Sequence, residues 1–185
     1  IKNYDNYVKF LAIDSDDSDM NYIKASNPSG GGYMDDDEMT NLDSSQVNPI
    51  IEAGTYKNED WITEGWTPTV NGTGCGQMRQ NGRFLLSVDD VFNRINTQIE
   101  SKINSARSNA SPGDKINVIF IAGISGGTGS GTFIDIAYIT HNIFREKGIS
   151  NYKIAGYIYT PDVQFTNPNI NEVGRAGLSK NGFAA

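Results

Sequence analysis

Three short runs of the chain are apolar at successive positions instead of alternating ones: residues 7–13 (YVKFLAI), 116–122 (INVIFIA) and 153–159 (KIAGYIY). A strand with one wet face alternates apolar and polar residues, whereas nearly unbroken apolar runs mark strands buried on both faces, the habit of parallel sheets. Between the second and third runs lies TFIDIAYITHNIFREKG, where Phe133, Ile136, Ala137, Thr140, Ile143 and Phe144 recur at helical spacing. Arg145 and Lys147 suit its last turn, and Gly148 its stop. Strand, helix, strand predicts one crossover unit. A second amphipathic helix is predicted from SVDD at 87–90, read as a capping box. It runs through Val88, Phe92, Ile95, Ile99, Ile103 and Ala106 to the SPGD turn at 111–114. Each helix has one apolar stripe, so the two predict a layer over the sheet and an α/β fold.

Residues 26–72 break this pattern, mixing Gly, Pro, Asn and acidic residues with Trp61 and Trp66. They read as a long surface insertion, with one short helix expected at 48–54 (NPIIEAG) because long structureless loops are uncommon in compact domains. The acidic run from Asp35 to Glu38 reads as a solvated loop. With 185 residues the prior is a single domain. Fifteen basic against 22 acidic residues, net −7, argue against a phosphate backbone as partner, so no nucleic acid is expected. The single cysteine, Cys75, excludes an internal disulfide framework and fits a reducing, cytoplasmic setting. No stretch approaches the roughly 20 apolar residues of a membrane span. The start at Ile1 and the end at NGFAA predict a cropped fragment.

Each of the three predicted strands runs into a loop of unusual composition: IDSDDSD, GISGGTGSGT and TPDVQF. In open parallel sheets the ligand crevice lies outside the carboxyl ends of the strands, so these loops should converge on a site. The sharpest signal is SGGTGSG: Ser125, Gly126, Gly127, Thr128, Gly129, Ser130 and Gly131. It is wedged between a buried strand and a helix N-terminus, where backbone amides can surround a phosphate. No Gly-Lys-Ser/Thr follows it, so it is no Walker A loop, and the GxGxxG spacing of dinucleotide folds fails at every register. A flexible glycine turn is the competing interpretation.

This heptad resembles the signature loop of the tubulin/FtsZ superfamily, Gly-Gly-Thr-Gly-Ser-Gly after a small residue, at all seven positions. The chain is most similar to the divergent bacterial tubulin-like proteins. The resemblance covers most of the chain outside 26–72 and implies a three-layer, Rossmann-like parallel sheet of a GTPase domain, incomplete at both ends, with 1–185 a partial nucleotide-binding domain. FLAIDSD then resembles the family's second strand and acidic loop, which places Asp14 and Asp16 near a nucleotide-bound Mg²⁺. Magnesium prefers one or two carboxylates with phosphate oxygens and waters. A turn-capping role for Asp14 stays open. GCGQMRQNGR resembles the loop and helix that close over the terminal phosphate, implying contacts from Gly74, Cys75, Gly76 and Gln77, with Cys75 a small filler instead of a nucleophile. Arg79 and Arg83 fit either phosphate or neighbouring acids and are left out of the site. TPDVQF resembles the ribose-side loop, bringing in Pro161, Asp162 and Val163. Asn181 resembles the asparagine that begins a family helix and reads the guanine edge, with a plain helix N-cap as its alternative. His141 is expected exposed, opposite the apolar stripe of its helix.

The resemblance implies GTP or GDP with Mg²⁺ as ligands and head-to-tail self-association into filaments, with hydrolysis at the subunit interface. Under it the family's central strand and later domain lie outside this sequence, so no catalytic residue is assigned. The isolated segment is expected neither to fold stably nor to turn over nucleotide. Two other functions compete: a non-polymerising nucleotide-sensing or scaffold module of the same fold, and an unrelated α/β enzyme holding another phosphorylated ligand.

Overall fold

The computed structural model describes residues 7–26, 33–70, 74–166 and 170–183. In chain order these form β1 (Ala12–Asp14), α1 (Asp17–Ile23), β2 (Met39–Asn41), α2 (Val47–Ala53), α3 (Arg79–Ser87), α4 (Asp89–Asn109) and β3 (Ile116–Gly123). Then follow α5 (Thr128–Glu146), β4 (Tyr152–Tyr159), α6 (Asp162–Phe165) and α7 (Glu172–Phe183). The fold is mixed α/β with parallel pairing throughout: β1 with β2, and β3 with β4 around the α5 crossover. Among the described residues, hydrogen bonds join the strands as two separate pairs and do not link them into one sheet.

β3 and β4 pair over eight residues, from Ile116 opposite Tyr152 to Gly123 opposite Tyr159. The expectation of burial on both faces is corrected here. Ile116, Val118, Phe120 and Ile154 turn toward the core formed with α4 and α5, while Ile119, Ile121, Tyr157 and Tyr159 are exposed. Both helices pack from one side, so among the described residues the opposite side is left uncovered however apolar it is. The first strand also differs: only Ala12–Asp14 pairs, while Tyr7, Val8 and Phe10 are exposed. Its partner β2 is three residues long, and a ladder ends where its partner does.

The second predicted helix starts two residues late. Ser87 closes α3 and donates to the Phe84 carbonyl at 2.8 Å, and Val88 takes an extended conformation that separates α3 from α4. The capping box therefore does not form. The buried stripe of α4 is Val91, Ile95, Ile99 and Ile103, one residue every helical turn, and Phe92 lies outside it, exposed. The turn at Ser111 and Asp114 follows as expected. On α5 the stripe of Ile136, Ile139, Thr140, Ile143 and Phe144 is buried. His141 is exposed, its Nδ1 2.7 Å from the hydroxyl of Tyr152, whose ring stacks on Phe144 at 4.1 Å.

The stretch 26–72 lies partly outside the described residues, at 27–32 and 71–72. Its described part supplies β2, the expected short helix as α2, and three core residues, Leu42, Val47 and Tyr56. Tyr56, Trp66 and Phe84 pack edge to face with ring centres 5.9 to 6.2 Å apart, fastening this stretch to α3. Asp35 to Glu38 stay on the surface: Asp36 pairs with Lys24 and Asp37 with Lys102, whose ammonium holds the Asp37 carboxyl below its ordinary range.

Candidate functional site

Ser15, the residue after β1, joins three distant segments. Its hydroxyl lies 2.6 Å from Thr128 Oγ1 and 3.2 Å from Cys75 Sγ, its carbonyl accepts from the Gly74 amide at 3.2 Å, and the residue is 4% exposed. The loop after β1, the loop before α3 and the glycine heptad after β3 are thus drawn to one point at the carboxyl ends of the strands. The heptad enters α5 directly, with Gly127 in the N-cap position and no side chain capping the helix. A nineteen-residue helix leaves its first-turn amides without acceptors in its own ladder and carries a partial positive charge at that end.

Close approach explains the glycines of this loop. A Cβ on Gly127 would stand 2.5 Å from that of Cys75 and 2.9 Å from the Met78 nitrogen. One on Gly131 would run into the Arg79 carbonyl, and one on Gly82 into the Gly127 carbonyl, so α3 and α5 cross backbone to backbone. Gly126 differs: a Cβ there meets nothing within 4 Å. In the facing loop, Gly74, Gly76 and Gln77 have φ of 84°, 54° and 60°, a left-handed path that Gln77 follows at a steric cost. Asn81, fully buried, supports that loop, with Nδ2 3.1 Å from the Cys75 carbonyl and bonds to Thr69 on both sides of its amide.

Burial pushes the Cys75 thiol up, and the hydrogen bonds with Ser15 and Thr128 only partly oppose this. A protonated thiol packed between loops is a poor nucleophile. Both acidic residues lie at the junction but are engaged locally. Asp14 Oδ1 accepts from the Ser15 amide at 2.6 Å and the Asp16 amide at 3.2 Å. Asp16 Oδ1 caps α1 by accepting from Ser18 and Asp19 amides, and its Oδ2 lies beside Gly74. Asp19 completes the acidic corner, its carboxyl pushed up by burial and then by Asp16 and Asp14. Among the described residues no three His, Cys, Asp or Glu side chains are grouped to hold a metal unaided. The donor set suits a cation completed by ligand oxygens, the habit of magnesium.

Asn181 departs from expectation in its position on the helix: α7 begins at Glu172, so Asn181 occupies its last turn and caps nothing. Asn171 caps instead, accepting from the Gly174 amide at 2.9 Å. Asn181 nonetheless reaches the junction, its Nδ2 donating to the Gln77 carbonyl at 2.5 Å and the Ser125 carbonyl at 3.3 Å. Arg79 donates to the Asn181 carbonyl at 2.9 Å, and Arg83 lies over the Trp61 ring and 3.5 Å from Asp135. Pro161 is buried against Gly182, while Asp162 and Val163 are exposed, with Asp162 Oδ2 accepting from the Thr160 hydroxyl at 3.4 Å. Their segment is tied in through Gln164, whose Oε1 accepts from the Ser125 hydroxyl at 2.6 Å.

Compared with protein-family models, residues 2–185 match the one described as tubulin like. The chain belongs to the tubulin-like family. No curated protein and no solved structure matches it significantly. The residues that assemble the junction of this tubulin-like chain include three that stand inside the motifs but are not among the expected site residues: Ser15 in FLAIDSD, Asn81 in GCGQMRQNGR and Gln164 in TPDVQF. Ser15 stands between the two motif aspartates and was within reach of sequence reasoning; Asn81 and Gln164 have no spacing or composition signal that marks them. Among the described residues of the tubulin-like chain, no helix is long and apolar enough to cross a membrane.

Proposed function

We propose that this tubulin-like chain binds GTP or GDP together with Mg²⁺ in the space before α5, as part of a three-layer Rossmann-like domain. Whole molecules then assemble head to tail into filaments, with hydrolysis at the subunit interface. The observation that carries the reading is the junction itself. Ser15, Cys75 and Thr128 draw the acidic loop, the loop before α3 and the glycine heptad together at a helix N-terminus, the arrangement suited to a phosphate chain.

The heptad from Ser125 to Ser130 would hold the phosphates through its amides, and Gly74 to Gln77 would close from the other side. Pro161, Asp162 and Val163 would border the ribose. Asp14 and Asp16 would hold the magnesium with phosphate oxygens, and the metal supplies charge neutralisation there. Asn181 spends its Nδ2 on two carbonyls, so what its side chain offers a base is the Oδ1 acceptor. That polarity suits the ring and exocyclic N–H donors of guanine.

Calorimetric titration of the whole protein with GTP and with ATP in Mg²⁺ tests this. Gly126→Ala is the informative variant, since a methyl there meets no protein atom within 4 Å. GTP binding weakened about tenfold or more in that variant, with an unchanged melting temperature, is the expected result. ATP preference, or no binding by the wild type, overturns it. GTP-dependent sedimentation tests assembly; binding without sedimentation or turnover favours the nucleotide-sensing module.

A further inference from the structure

Ser15 has no role in the ligand set above, yet its amide, carbonyl and hydroxyl are all engaged at the junction. Its amide donates to Asp14 Oδ1, its carbonyl accepts from Gly74, and its hydroxyl meets both Thr128 and Cys75. The chemistry of that triangle is a question of proton direction. Ser15, Thr128 and Cys75 each carry one hydrogen, and sulfur is both a weak donor and a weak acceptor. The strong contact is therefore the 2.6 Å oxygen pair, which exists in two polarities.

If Thr128 donates to Ser15, its only proton is used inside the junction and its oxygen turns lone pairs toward any arriving anion. If Ser15 donates to Thr128, the Thr128 proton is free of Ser15 and can turn to an arriving anion, for which the neighbouring Cys75 sulfur is a weak competitor, and the Cys75 S–H is left to donate to Ser15 Oγ. Only the second arrangement lets Thr128 donate to a phosphate oxygen. We propose that Ser15 is a positioning residue that turns the Thr128 hydroxyl proton toward the phosphate of a bound nucleotide. The inference rests on the nucleotide reading above. Ser15 is suited to the task because its backbone is bonded on both sides and its side chain is buried, so its oxygen stays in place while the proton changes partner.

The test is a double-mutant cycle on the whole protein, read by titration with GTP and Mg²⁺. Ser15→Ala and Thr128→Ala are each expected to weaken binding about tenfold, and the double variant to be no weaker than Thr128→Ala alone. Ser15→Thr, which keeps the hydroxyl, should stay within a factor of about three of wild type. Additive losses, or Ser15→Ala binding like wild type, overturn the proposal while leaving nucleotide binding standing. Absence of GTP binding by the wild type overturns both.

A second readout needs no Ser15 variant to fold. With GTP bound, the S–H stretching band of Cys75, assigned by difference against Cys75→Ser, should lie at the lowered frequency of a thiol that donates a hydrogen bond, here to Ser15 Oγ. A band at the frequency of a non-donating thiol under saturating GTP overturns the proposal.

Discussion

The two glycine-rich segments that face each other across the junction use glycine for different reasons. Residues 74–77 turn the chain through the left-handed region, with positive φ at Gly74, Gly76 and Gln77. Residues 125–131 have none of these angles, and Gly131 already belongs to α5. Their glycines are required because Gly127 and Gly131 touch the backbone around α3, where Gly82 answers them. One loop needs a conformation and the other needs an empty volume. Composition treats the two alike, yet their responses to substitution should differ in size and kind.

Gly131→Ala should have the largest effect. Its methyl would collide with the Arg79 carbonyl and the Arg83 nitrogen, which cannot rotate away. A loss of about 3 kcal/mol is expected, checked by denaturant unfolding. The same variant should open the junction and expose Cys75. In wild type the raised pKa and burial of that thiol make its alkylation lag behind a free cysteine as pH rises through the thiol range. In Gly131→Ala the lag should shrink, and an equal rate in the two proteins would contradict a closed seam.

Gly74→Ala comes next. The methyl has room, its nearest neighbour being Asp16 Oδ2 at 3.4 Å, but φ of 84° is strained for any L residue. A loss of about 1 to 2 kcal/mol should appear, with the Cys75 alkylation rate little changed. Gln77→Gly is the smallest and runs the other way: it removes left-handed strain but loosens the unfolded chain, for a net gain below about 1 kcal/mol. A loss larger than that would mean the Gln77 side chain itself holds the junction.

The order of elements was legible because α4 and α5 carry strong helical periodicity and β3 and β4 are continuous apolar runs. What those runs hide is how many faces a strand has covered. Ile119 and Val118 are both branched aliphatics one residue apart, and only the position of the helices decides that one is exposed and the other packed against the core. The start of α4 is masked in the sequence because Ser87 has the residue type of a cap, and only the helix before it shows that Ser87 closes α3. Leu42 and Tyr56 were hidden by polar neighbours, since a core residue supplied by an irregular segment has no period to announce it. At the site, the loop after β1, the loop before α3 and the glycine heptad meet at Ser15, whereas Asp162 and Val163 of the loop after β4 stay exposed. The groups fastening these loops, Ser15, Asn81 and Gln164, act through contacts between residues 6 to 113 positions apart, and no hydrophobic period marks them.

The crossing of α3 and α5 has a mechanical consequence. Where helices meet through side chains, rotamer changes absorb small displacements, and a shift on one side fades before reaching the other. Between Gly82, Gly127 and Gly131 nothing intervenes that could rotate. A movement of a few tenths of an ångström in the heptad must therefore pass to α3 undiminished, and from there to the aromatic ring of Phe84 and the segment holding Tyr56 and Trp66. The seam works as a rigid coupling between two parts of the chain that share no loop.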